Sequence, residues 1–268
     1  LRKPPATGTP REGHWNIEWD RHGITRIVSP EDDTWVNHRT SPEPHRWGTL
    51  VQRLLPTDTG EWFHHDPPAA PNAGERTMTV TDIGANKSDA ASPGVRIAAR
   101  LDSPAGAITN ISVDIAEEPS TRDLVVNLRL TDKVATAQAE VLAMAMPFTP
   151  QMPQYMTAAG SHLLRVDDDQ LPDANRDEHP VEAGWALLSD DGDRALAVSS
   201  AEAFLWHFGG FYYANFNREE PARTGSVYAH LFNNAWNTNF RCWYGGSLSY
   251  TIRMRPTLPE HILATLQA

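Results

Sequence analysis

The sequence predicts an all-β fold with little helix, and three observations carry that prediction. Apolar and polar residues alternate with a period of two in many short runs. Clusters of Gly, Pro, Asp and Ser separate those runs. Only residues 132–146, rich in Ala, Gln and Glu, have fair helix propensity. With 268 residues, 40% of them hydrophobic and 21% charged, the chain has a globular composition and the length for one large β domain.

Residues 1–13, rich in Pro, Gly and Thr, read as a flexible lead-in to a single domain over 14–255, followed by a tail over 256–268 with weak helical character. Trp15, Ile17 and Trp19 alternate with Asn16, Glu18 and Asp20. A turn at Arg21-His22-Gly23 then returns the chain over 24–28, a hairpin. Residues 34–36 and 49–55 are predicted strands, and residues 56–76 a loop. Four more strands follow over 77–83, 95–101, 107–115 and 124–130, and then an irregular entry into a buried strand ending near Phe148, where Pro147, Pro150 and Pro153 stop it. Residues 185–189 and 194–199 form a hairpin about Asp190-Asp-Gly-Asp193, since Asp-Gly supplies the positive φ of a tight turn. Phe204, Trp206 and Phe208 interleave with Leu205 and His207, which suits a strand covered on both faces inside a sandwich. The last strands, around 227–232 and 248–254, flank a polar and aromatic connection.

Charge and composition narrow the function. A net charge of −11 argues against a nucleic-acid or anionic-membrane partner, which wants a basic face. The single cysteine, Cys242, excludes an intrachain disulfide and a cysteine-based zinc site. No apolar run approaches the roughly 18 residues of a membrane span, and residues 1–10 lack an apolar signal core. The first residue is not Met, so the chain reads as a mature product, a trimmed product or a piece of something longer.

No GxGxxG, Walker, GxSxG or HExxH motif is present, so no cofactor is predicted. Trp62-Phe-His-His-Asp66 reads as loop rather than metal site, because adjacent His side chains on an extended chain point opposite ways. Asp167-Asp-Asp169 lacks the Gly and distal Glu of a calcium loop and reads as polar loop; no metal is predicted. Asp114, Glu117 and Glu118 read as a solvated acidic rim.

The informative stretch is 228–255. Asn234, Trp236, Asn237, Asn239, Arg241 and Trp243 could serve sugar hydroxyls and stack on a sugar ring, or the amides could brace their own loop while the aromatics plug the sandwich end. Trp206 and Tyr212 join the same candidate binding set. Candidate acid–base groups are His207, His230, Asp168 and Glu202, since a carboxylate pair, or a His with a carboxylate, is a minimal apparatus for sugar chemistry.

Five landmarks, in order along the chain, resemble the C-terminal β-sandwich region of α-mannosidase-like proteins, the family 38 glycoside hydrolases and their bacterial relatives. They are Trp15-Asn-Ile-Glu-Trp-Asp-Arg-His-Gly-Ile24, Trp47-Gly-Thr-Leu-Val-Gln-Arg-Leu54, Lys133 with Glu140-Val-Leu-Ala-Met-Ala-Met-Pro-Phe148, Gln170-Leu-Pro-Asp-Ala-Asn-Arg-Asp177 with residues 181–185, and Asn233-Asn-Ala-Trp-Asn-Thr-Asn-Phe240. Met146 stands where that pattern has Phe, and Asn237 where it has Gly. The resemblance implies a large two-sheet antiparallel supersandwich of galactose-mutarotase-like type and carbohydrate as the ligand class. It hands over no nucleophile, because in that family the nucleophile and the zinc belong to a catalytic α/β barrel absent from this sequence. The expected function is therefore a carbohydrate-associated β domain that shapes or binds a sugar site beside such a barrel. The alternative is a free-standing sandwich enzyme, a glycosidase, lyase or epimerase, using His and Asp/Glu on the concave sheet face.

Overall fold

The computed structural model describes residues 12–55, 74–86, 94–136, 138–212, 217–234 and 245–268. In chain order the strands are β1 (Asn16–Asp20), β2 (Gly23–Val28), β3 (Thr34–Asn37), β4 (Thr49–Leu54), β5 (Gly74–Thr77), β6 (Thr79–Ala85), β7 (Gly94–Leu101), β8 (Ile108–Glu117) and β9 (Leu124–Lys133). They continue as β10 (Glu140–Pro147), β11 (Gln154–Ala159), β12 (His162–Arg165), β13 (His179–Pro180), β14 (Trp185–Leu188), β15 (Ala195–Ser199), β16 (Leu205–Phe208), β17 (Ser226–Asn233) and β18 (Gly246–Thr257). A 3₁₀ turn, Pro259–His261, leads into one short helix, α1 (Ile262–Gln267).

All named strand pairs are antiparallel. A nine-stranded sheet runs β12-β11-β14-β15-β18-β9-β8-β7-β6, a six-stranded sheet runs β13-β16-β17-β10-β4-β5, and β1-β2-β3 form a third. The two large sheets bury one continuous core between them: Ile97, Val113, Val126 and Ile252 come from one sheet, and Leu50, Met144, Phe208 and Val227 from the other. Ile17 and Ile27 of the small sheet, with Trp15 just before β1, join the same core. Trp185 is central, with ring centroids 5.2 Å from Trp206 and 5.3 Å from Phe208. Burial of each such side chain is worth about 1.5–3 kcal/mol, so the aromatic knot holds the sheets face to face.

The alternation that predicts the strands also assigns their faces. In β18, Tyr250, Ile252 and Met254 point into the core while Ser249, Thr251 and Arg253 point away. The first hairpin forms as expected: Asp20 Oδ1 accepts from the His22 amide at 2.7 Å, and Gly23 takes φ +133°. The Asp-Gly hairpin also forms, with Gly192 at φ +75°.

Lys133 closes β9 and Glu140 opens β10, so the chain enters a buried strand paired with β4 and β17, as expected. Several other expectations are corrected. β5 begins at Gly74, inside the predicted loop; residues 62–66 lie outside the described residues. β11, β12 and β13 are additional; their short segments carry too little alternation to announce a strand. Glu117 is no solvated rim group. It is buried, accepts from the Trp15 amide at 3.0 Å and from His14 at 3.2 Å, and pairs with Arg122. β18 runs two residues past 255, and α1 seats Ile262 and Leu266 on Ala158, Ala186, Ala195 and Ala197, on the nine-stranded sheet's face away from the main core.

Candidate functional site

The six-stranded sheet has a second face, and its register shows what lies there. Across β5-β4-β10-β17, Glu75, Arg53, Val141 and Asn233 stand in one row. Thr77, Val51, Ala143, His230 and Leu205 stand in the next. Thr49, Ala145, Tyr228 and His207 form a third. Side chains opposite one another across a ladder share a face. The central strand therefore supplies a low apolar floor, Val141, Ala143 and Ala145, between a charged wing on β4–β5 and a histidine–tyrosine wing on β16–β17. The large neighbours of those alanines, Leu142, Met144 and Met146, point into the core.

Phe211, just after β16, folds over this face. Its ring stacks on Tyr228 at 5.2 Å, meets His207 edge-on at 5.2 Å and lies under the Arg53 guanidinium at 4.3 Å. Arg53 also donates to the Phe211 carbonyl and to Glu75 at 3.1 Å. His45 reaches the other Glu75 oxygen at 3.4 Å. The hydrogen bond from His45, with Arg53 beside it, holds the Glu75 carboxyl below its ordinary value, so it is an anionic acceptor at neutral pH.

His207 and His230 touch, Nε2 to Nδ1, at 3.3 Å, and Asn233 Nδ2 lies 2.9 Å from His230 Nε2. Both rings are buried. Burial pushes His230 down to about 4 and His207 well below its usual value, helped there by the charges on His230, His179 and Arg53. At neutral pH the pair is uncharged, one ring donating and the other accepting.

The candidates named from the sequence separate in space. His207 and His230 come together. Asp168 is exposed in the turn after β12, paired with Arg165 at 3.1 Å; its neighbour Asp167 turns inward and takes both its oxygens to Arg223 at 2.7 Å. Glu202 is an exposed carboxylate that accepts from the Thr251 amide at 3.2 Å, on the nine-stranded sheet. Neither carboxylate stands beside the histidines in sheet register. Trp206 is a core residue, 1% exposed, its indole N–H given to the Ala203 carbonyl at 2.8 Å and its ring in a T-shaped contact with Trp185, so its burial leaves no ring face to a ligand. Tyr212 is half-buried and donates to the Ala222 carbonyl at 3.1 Å.

Asn234 is a brace. It accepts from the Glu140 amide at 2.7 Å and donates to the Thr136 and Gln138 carbonyls at 3.0 Å. Trp236, Asn237, Asn239, Arg241 and Trp243 lie outside the described residues. Sequence reasoning missed Arg53, Glu75, His45, Tyr228 and Phe211. The small–large alternation of 141–146 is the available signal, since small residues on one face of a buried strand leave room for larger side chains from its neighbours.

No protein-family model and no curated protein sequence matches the chain. Solved structures do. The fold is similar to an α-mannosidase from Enterococcus faecalis V583, with TM-score 0.62 and 10% identity over 98% of this chain and 30% of that one. It is also similar to a galactose 1-epimerase from Lactobacillus acidophilus NCFM, with TM-score 0.50 and 11% identity over 93% of each chain. The class is thereby defined: a galactose-mutarotase-like β-supersandwich, built of antiparallel sheets with little helix. At these identities the fold is what is shared, and this chain spans 30% of the mannosidase's length.

Proposed function

We propose that the chain is a carbohydrate-associated β domain of α-mannosidase-like type, shaping or binding a sugar site without carrying the catalytic barrel. The observation that carries this reading is the fold match covering 98% of this chain and a 30% share of an α-mannosidase. The chemistry of the six-stranded sheet's second face supports it. Arg53 supplies a guanidinium donor, Glu75 an anionic acceptor and Asn233 an amide, backed by the buried Phe211–Tyr228 stack. A sugar asks for donors and acceptors held in fixed positions. Trp236, Asn237, Asn239, Arg241 and Trp243, which follow Asn234 in sequence, belong to the proposed binding set; the proposed partner is a catalytic α/β-barrel domain.

The histidines favour binding over chemistry. A general base works best with a pKa near the operating pH, and a ring held near 4 is a weak base and is not protonated to act as an acid at neutrality. Calorimetric titration with mannose, galactose and glucuronate tests the reading. One sugar binds, and Arg53→Ala weakens it about tenfold, the worth of one charged hydrogen bond. Turnover of an aryl mannoside by this chain alone contradicts it.

The equal 93% coverage with a galactose 1-epimerase favours a second reading, a free-standing sugar-active enzyme that uses His207 and His230. Polarimetry separates the two: catalysed mutarotation that disappears in His207→Ala and His230→Ala supports the second, and none supports the first.

A further inference from the structure

The nine-stranded sheet carries a cavity of about 350 Å³ on the face opposite its core, between β15, β18, α1 and the turn from β8 to β9. Its size falls in the range of small-molecule sites. One corner is locked. Asp123, its side chain 4% exposed, accepts from Arg255 through both oxygens at 2.5 and 3.0 Å. Arg253, one outward position along β18, lines the cavity with its side chain 43% exposed. It approaches Asp123 only to 3.8 Å, beyond hydrogen-bond range, because Arg255 already occupies that carboxylate. Arg253 thus presents guanidinium donors to the cavity.

The rest of the lining decides the ligand class. Glu118 brings an acceptor, and its charge opposes an anion. Arg253 and Arg255 against Asp123 and Glu118 leave the cavity side chains with no net charge. Ser199, opposite Arg253 in register, and Ser120 add hydroxyls that donate or accept. Ala197 and Leu266 supply an apolar patch. Phosphate or carboxylate wants donors and positive charge. A neutral polyol wants donors, acceptors and a dry face for its C–H groups. We infer that this cavity is a binding site for a neutral saccharide, on the opposite sheet from the face proposed above and independent of it. It offers no aromatic platform among its lining residues, so its affinity falls near the millimolar range, on the order of the weakest specific binding.

Amide chemical shifts of the full chain titrated with methyl α-mannoside and maltotriose test it, with glucuronate and inorganic phosphate as separate arms. A neutral saccharide moves the amides of Ser199, Arg253 and Thr265. Arg253→Leu, which breaks no side-chain hydrogen bond among the described residues and loses only the 3.8 Å approach to Asp123, weakens that response about tenfold, with the melting temperature recorded alongside as a control for folding. Arg53→Ala leaves it intact, so loss of the other face's binding is read separately. Two results overturn the inference: unmoved amides at this cavity with both neutral saccharides, or glucuronate or phosphate binding there about tenfold more tightly, with affinity falling as salt rises.

Discussion

Lys133 and Glu140 form an ion pair at 2.5 Å with side chains 2% and 1% exposed, and its removal is the most quantitative test of how the sheets are held together. Lys133 ends β9 in the nine-stranded sheet, and Glu140 begins β10 in the six-stranded one. The Lys133 Nζ also stands 4.4 Å over the Phe232 ring, and Gln52 donates to the second Glu140 oxygen. At that separation, and with an effective dielectric of about 20, the attraction is about 7 kcal/mol, most of it offset by the cost of taking both charges out of water. Removing one partner strands the other in the core. Lys133→Met or Glu140→Leu therefore costs about 3–5 kcal/mol. The double variant Lys133→Met/Glu140→Leu strands no charge and leaves the Gln52 amide without its acceptor, a cost of about 1–3 kcal/mol. Urea unfolding at pH 7, analysed as a double-mutant cycle, measures all three. A single variant that costs under about 1 kcal/mol, or a double variant that costs the sum of the singles, refutes the reasoning.

Three further outcomes follow from the same geometry. Burial holds His230 and His179 near 4 against the usual 6.5, so between those values the unfolded chain binds more protons; stability is present above pH 6.5 and falls as pH drops toward 4, by about 3 kcal/mol for one such group, and His230→Gln flattens that fall in pH-dependent melts. At Gly184, φ is +155° and an added Cβ would meet the Val198 carbonyl at 2.5 Å and Leu266 at 2.7 Å, so Gly184→Ala destabilises by about 1–3 kcal/mol in thermal unfolding and loosens α1 first in hydrogen exchange. Asn234→Ala removes the bonds that tie the end of β17 to the 136–140 connection; it costs about 1–3 kcal/mol by urea titration, and more in proteolytic sensitivity near 136–139 than elsewhere.

Much of this architecture is legible in the chain because period-two alternation is a direct consequence of half-buried strands. β1, β7, β9 and β18 carry it openly, and the Asp-Gly turn before β15 announces its hairpin. β13 is invisible in sequence, since two residues carry no period, and its pairing with β16 is set by the surrounding sheet. The site is less legible. His207 and His230 lie 23 residues apart and meet only through the β16–β17 register, while Arg53 and Glu75 belong to strands far earlier in the chain. Trp206 misleads because an aromatic in an aromatic strand has the same sequence signature whether it faces a ligand or a core. Asn234 misleads in the same way, since a bracing amide and a binding amide are one residue type.

The central claim is that the second face of the six-stranded sheet meets a sugar. Side-chain nitrogen spectra of the histidines, recorded while mannose or galactose is added at pH 7, address it directly. The account predicts that the His230 and His207 resonances shift together with the Arg53 side chain, while exposed His162 and His261 stay in place. Histidine signals on this face that remain fixed to saturating sugar, with Arg53 equally unmoved, contradict it.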